Sequence, residues 1–209
     1  MEKSLSWREF IITRLIQSSG YSAILFVALI FFFLLREGLP TLGEVEASSL
    51  FNFRWYPIES YFGILPLLSG SLIVTLGAAL IAVPCGIGTA IYISEIAPRW
   101  MREILKPLVE LLGGLPSVVL GFLGILVLSP FLRVFLDLPT GLTALTGSLL
   151  LGGIAVPTVV SVAEDALDSV PRAYREGAWA LGATKWQTIW RVTLPAAKSG
   201  VLTAVMLGV

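Results

Sequence analysis

Four apolar runs in this chain approach or exceed the length that crosses a bilayer: Gly20 to Leu35, Leu65 to Ile93, Pro107 to Pro130 and Thr143 to Ala163. A spanning helix needs about 20 such residues for a hydrocarbon core of about 30 Å. A fifth run opens at Gly200 and stops at Val209, about half a span, so the pattern predicts that the membrane domain continues past Val209. Only 13% of the residues are charged and 56% are hydrophobic, whereas soluble domains carry about 25% charged residues. The predicted class is an all-α, multi-span membrane protein with four complete spans and a truncated fifth.

The segment before the first run, MEKSLSWREFIITRLIQSS, mixes acids with bases, and no small-residue cleavage site follows the run. It reads as an uncleaved anchor and not as a signal peptide. Trp7, Phe10, Ile11, Arg14 and Leu15 recur at helical spacing, which predicts an interfacial helix over residues 1–19 ahead of a membrane domain at 20–209. A cytoplasmic N-terminus puts Lys3, Arg8, Arg14, Arg99, Arg102, Lys106, Arg172, Arg175, Lys185, Arg191 and Lys198 inside and only Arg36, Arg54 and Arg133 outside. Basic residues resist translocation, so this bias predicts that orientation. The outer loop, residues 36–64, gathers Trp55, Tyr56, Tyr61 and Phe62, rings suited to the headgroup level.

The chain has no histidine and one cysteine, Cys85. That removes the commonest general base and any disulfide framework or cysteine-ligated zinc site, and Cys85 reads as a small packing residue. Glu110, near the start of the third run, is the clearest charge inside the spans, and no basic residue lies deep in one. Secondary transporters and pumps display ionisable relays there. These spans hold glycine and proline instead: Pro84, Gly86 and Gly88, then GGLPSVVLGFLG from Gly113 and GSLLLGGIAVP from Gly147. Small residues let helices approach closely, and proline bends a span or frees a carbonyl. For Pro116 and Ser117 two readings stand, helix packing or a kink that opens polar backbone to a translocation path.

Between the fourth and fifth runs, a loop of about 164–199 reads as two short helices. Ser169 is predicted to cap the first, with Pro171 early in it and Gly182 as its left-handed stop. Thr184 and Gln187 stand three apart, as a capping box requires, so a second helix starts at once and ends at Pro195. Trp179, Trp186, Ile189 and Trp190 offer more apolar area than so short a hairpin can bury, and either headgroups or a partner protein can cover it. The acids of AEDALD (Glu164, Asp165 and Asp168) read either as residues near the start of the following helix, where the dipole favours them, or as a metal or catalytic cluster.

Glu176, Gly177 and Ala178, Gly182 six residues after the glutamate, then Val192, Leu194 and Pro195 resemble the loop that marks the membrane subunits of bacterial ABC importers. That loop reads Glu-Ala-Ala, three residues, Gly, nine residues, Ile, one residue, Leu-Pro; here Gly177 replaces an alanine and Val192 the isoleucine. FGILPLLSGSLIVTL, the stretch YISEIAPRWMREILKPLVELLGGLPSVVLGFLG and FLLREGLP resemble the phosphate-importer branch, in its C-type permease. The resemblance implies a type I ABC importer permease fold in the bacterial inner membrane. It implies a coupling element in which Glu176, Gly177, Ala178, Trp179, Leu181, Gly182, Ala183, Trp186, Leu194 and Pro195 serve docking on an ATPase. It also implies an A-type permease partner, two ATPase subunits and an extracytoplasmic phosphate-binding protein. Membrane lipid is a further expected partner, and nucleic acid is not one.

The chain contains no G-x-x-x-x-G-K-[ST] phosphate loop, so the nucleotide engine is expected on a separate subunit, which uses the ATP and Mg. No cofactor or metal is expected on this chain. Alternative readings are a permease for another oxyanion or small solute, a membrane anchor or sensor subunit, and an integral-membrane enzyme. Gly/Pro-broken spans argue against a plain anchor, and an enzyme needs a catalytic cluster at the interface.

Overall fold

A computed structural model describes residues 7–44, 50–59 and 61–209. Lys3, counted above among the cytoplasmic bases, lies outside them. The chain divides into two units, Met1–Leu67 and Leu68–Val209.

In the first unit, α1 (Trp7–Glu44) is a single helix of 38 residues, with the described side chains as far as Pro40 exposed. Between Gly20 and Leu35 it carries no charge on any face, which suits lipid and not water. The expected division at residue 19 corresponds to no break, because Ser18, Ser19 and Gly20 stay helical and Ser22 Oγ donates to the Ser19 carbonyl at 2.9 Å. Three weak helix formers cost about 1 kcal/mol or less each, too little to interrupt so long a helix. The aromatic loop forms a short hairpin, β1 (Trp55–Tyr56) antiparallel to β2 (Tyr61–Phe62), with the Trp55 and Phe62 rings edge to face. Gly63 closes it by donating to Arg54 O at 2.9 Å. A Cβ at Gly63 would run into the Asn52 and Arg54 carbonyls.

Helix α2 (Leu65–Ile91) continues into a π-helical turn, Tyr92–Ile96. Helix α3 (Arg99–Gly113) follows, then α4 (Ser117–Phe135) with a π turn at Gly124–Leu128, and α5 (Ala144–Asp168). After α6 (Arg172–Ala180) comes α7, residues 185–196, with a π turn at Ile189–Thr193, and then α8 (Lys198–Gly208). Glu9–Pro40, Leu65–Ile96, Ser117–Phe135 and Ala144–Asp168 are long and apolar enough to span. Among the described residues the short hairpin is the exception to helix, and the chain is an all-α, multi-pass membrane protein.

Each π turn ends two residues before a proline: Pro98, Pro130 and Pro195. In each, the residue just before the proline donates five residues back, Ala97 to Tyr92, Ser129 to Gly124 and Leu194 to Ile189. Proline lacks an N–H and its ring collides with the carbonyl four residues earlier where a helix continues through it, and at Pro130 and Pro195 a widened turn relieves that collision. Pro98 instead follows an extended Ala97 and opens α3 as its N-cap. Pro84, Pro107 and Pro157 lie within regular helix, so proline alone does not dictate the π turn. Pro195 is a correction, because the helix it was expected to end runs on to Ala196.

The third span also differs from expectation. In place of one helix over Pro107–Pro130, α3 and α4 are separated by Gly114, Leu115 and Pro116. The Gly114 N–H turns back to the Glu110 and Leu111 carbonyls, and the residue before a proline avoids helical geometry. The two pieces run antiparallel along α5. Lys106 meets Glu164, a Cβ on Gly113 would sit 3.4 Å from Pro157, and one on Gly124 would crowd Leu150 at 2.6 Å. The break therefore lies beside Pro157, about midway along α5. Glu110 belongs to α3, where it is exposed, and not to a span.

The fourth span runs to Asp168, so Glu164, Asp165 and Asp168 close α5 and do not open the next helix, a further correction. A helix C-terminus disfavours acids, and Lys106 and Arg102 compensate them from α3. Ser169 caps nothing at the start of α6. It is the C-cap of α5, with Oγ donating to Ala166 O at 2.7 Å, and Pro171 occupies the N-cap.

The core of the second unit joins Ala90 and Ile91 of α2, Ala163 and Leu167 of α5, Ile189 of α7, and Val201 and Ala204 of α8. Close approach of α8 to α5 depends on small residues. A Cβ on Gly200 would collide with Ala166, and one on Gly208 with Val159.

Candidate functional site

The 172–196 hairpin is built by local chemistry. Gly182 takes φ 81°, Ala183 N–H donates to Ala178 O at 3.0 Å and Gly182 N–H to Trp179 O at 2.9 Å. This paired closure satisfies the last carbonyls of α6 and needs a residue at ease in the left-handed region. The next helix opens at once, because Gln187 N–H donates to Thr184 Oγ1 at 3.3 Å and Thr184 N–H to Gln187 Oε1 at 2.9 Å.

One face of the hairpin is sunk into the core through Thr188, Ile189 and Thr193, with Leu194 packed at its edge. Ile189, expected among the uncovered residues, is buried. The other face is open: Trp179 is 51% exposed, Leu181 91%, Trp186 59% and Trp190 49%. The Trp186 and Trp190 rings pair edge to face at 5.7 Å. Glu176, Gly177, Gly182 and Pro195 are exposed with them, whereas Ala178 and Ala183 are half-buried. Pro116 and Ser117 stand apart from this group, as the N-cap and first residue of α4.

A polar network that sequence reading missed holds the hairpin from beneath. Arg175 Nε and Nη2 donate to Glu95 Oε1 at 3.0 and 2.6 Å, Nη1 donates to Val170 O at 2.7 Å, and Nη2 also reaches Leu167 O at 2.9 Å. Ser94 Oγ donates to Asp168 at 2.7 Å. Arg102 donates to the Ile93 carbonyl at 2.8 Å and to the Ser94 carbonyl. Lys106 Nζ lies 2.6 Å from Glu164 Oε2 and 3.2 Å from Asp165 Oδ1. Lys106 lies outside the spanning helices, and donation to Glu164 holds its pKa above the ordinary lysine value against the opposing pull of burial. Beside the network opens a cleft of about 460 Å³ lined by Glu95, Arg102, Asp168, Arg172, Glu176 and Trp179. The one clue in the sequence was Glu95, a lone acid closing an apolar run, which calls for a partner.

The arrangement is a two-helix platform held from beneath by this network, with its tryptophans turned outward. The model of the family described as "binding-protein-dependent transport system inner membrane component" matches residues 82–209, from mid-α2 through the hairpin to α8. The chain belongs to this family. Among relatives, the "probable ABC transporter permease protein YqgH" of Bacillus subtilis is 47% identical over 168 residues, covering 79% of this chain and 54% of that protein. The "phosphate transport system permease protein PstC" of Mesorhizobium japonicum is 34% identical over 190 residues, 79% of this chain and 58% of that protein. "PstC 1" of Mycobacterium tuberculosis is 36% identical over 172 residues, 73% and 51%. The chain thus spans little more than half the length of these relatives. No solved structure matches it. Within this transport-system family, α1 and the β1–β2 hairpin lie outside the matched residues.

Proposed function

We propose that the chain is a membrane-spanning permease subunit of an ATP-driven importer of inorganic phosphate, driven through the 172–196 hairpin by a separate ATPase that consumes the ATP and Mg. The observation that carries this reading is the platform itself. An apolar face of three tryptophans and Leu181, left uncovered on a hairpin whose other face is fixed, suits a protein partner with an aromatic-binding groove. The names of the PstC relatives support phosphate as the cargo. The further partners in this reading are an A-type permease subunit, a second ATPase copy and an extracytoplasmic phosphate-binding protein. Pro116 and Ser117, at the turn between α3 and α4 beside Pro157, would line the anion's path, because the first N–H groups of a helix lack intrahelical partners and suit an anion. Uptake of labelled phosphate by the complete importer, in competition with sulfate and molybdate, tests the cargo. Sulfate and molybdate competing as well as unlabelled phosphate would remove phosphate specificity.

The reading also sets the N-terminus and the 172–196 hairpin in the cytoplasm. Single cysteines at Glu46, which lies outside the described residues, and at Ser169, in a background lacking Cys85, are expected to react with impermeant maleimide from opposite sides. Labelling of both from one side would reject this topology.

A further inference from the structure

Helix α6 is joined to α5 and α7 by chain, but its polar connection to α2, among the described residues, is one side chain. Arg175 is 13% exposed and Glu95 8%. Four hydrogen bonds fix the guanidinium, two to Glu95 and one each to the carbonyls of Val170 and Leu167. A single rigid fork thus grips the end of α2, the end of α5 and the underside of the tryptophan platform. Glu95 itself lies in the π turn Tyr92–Ile96, and the carbonyls of its neighbours Ile93 and Ser94 receive Arg102 of α3. Helix α3 then leads to the interruption at Gly114–Pro116.

We propose that Arg175 and Glu95 are a positioning pair that transmits displacement of the docking helix α6 to the end of α2, and through Arg102 to α3 and the turn that leads into the third span. This rests on the docking reading above. The physical ground is rigidity. A buried fork-shaped donor pair resists both sliding and rotation, whereas apolar contacts between helices shear readily. Burial of both charges is costly and adds little net stability, which fits a pair whose work is specifying geometry.

The test uses the complete subunit assembled with its partners in proteoliposomes, with inorganic phosphate as probe. Glu95→Gln keeps the shape and removes the charge, and Glu95→Asp keeps the charge. For Glu95→Gln, copurified ATPase and ATP hydrolysis are expected within about twofold to threefold of wild type while phosphate taken up per ATP hydrolysed falls about tenfold, an ordinary size for coupling between sites. Glu95→Asp is expected to restore uptake per ATP to within about threefold. Uptake and hydrolysis falling in equal proportion in Glu95→Gln would overturn the proposal, as would unchanged uptake. Failure of that variant to reach the membrane would also overturn it, by making the pair a folding element. Wild-type subunit that brings down no ATPase would reject the docking reading itself, before any variant is read.

Discussion

In the complete subunit, Gly182→Val is expected to reach the membrane at near wild-type level and yet to recover far less ATPase. The φ of 81° at Gly182 is hostile to a β-branched residue, and the local cost is about 1 to 2 kcal/mol. A multi-span fold survives that, but the hinge between α6 and α7 must move, taking Trp186 and Trp190 out of their relation to Trp179. Space is no obstacle, since nothing lies within 4 Å of a Cβ built at Gly182, so the strain is purely conformational. Trp186→Ala leaves the turn intact and removes one exposed ring. It is expected to weaken ATPase association by about 2 kcal/mol or more if the ring is an anchor. Copurified ATPase at matched membrane expression measures both. Full recovery in both variants would assign this face to lipid headgroups, not to a protein.

Lys106→Met is expected to destabilise the detergent-solubilised subunit by about 3 kcal/mol, the low end for breaking a buried pair because Lys106 keeps a solvent-facing side. The Glu164 side chain is 3% exposed, and its Oε1 has no hydrogen-bond partner among the described residues. Once the ammonium is gone, the carboxylate is left desolvated with nothing to offset the cost. Lys106→Met combined with Glu164→Leu is expected to recover most of the loss, since replacing both charges removes the penalty. Thermal unfolding of the three proteins decides it, and a single variant as stable as wild type would show the pair to be idle. The pKa of Lys106 is raised in the folded state, so the stabilisation is complete below the ordinary lysine value of 10.5 and disappears as pH rises through the higher folded value.

What could be read from the sequence was what neighbours in sequence decide. Gly182 and the Thr184–Gln187 box involve residues three to five apart, and both form as expected. The third span was misjudged because average hydrophobicity merges the apolar stripe of α3 with α4. Trp100, Ile104, Leu108 and Leu111, all exposed along one side of α3, were the helical-period signal that a separate amphipathic helix precedes the span. The acids of AEDALD were assigned by a local dipole argument, and tertiary partners on α3 outweighed it. Arg175 and Glu95 stand 80 positions apart; no local rule pairs them. The glycine runs read mainly as packing, and Gly86, Gly113 and Gly124 do face side chains of α5, whereas Gly88, Gly121 and Gly153 face open space.

The widened turn ahead of Pro195 sets the phase of everything after it. A π turn holds one residue more than the α turn it replaces, so α8 is rotated by about 100° from where an unbroken α-helix would carry it. That rotation is what aims Gly200, Val201 and Ala204 at α5. Removing one residue from Ile189–Thr193 would turn α8 by about 100° and bring larger side chains round to the seam where Gly200 now meets Ala166. The face that α8 presents is thus written upstream of α8, in a proline and one surplus residue.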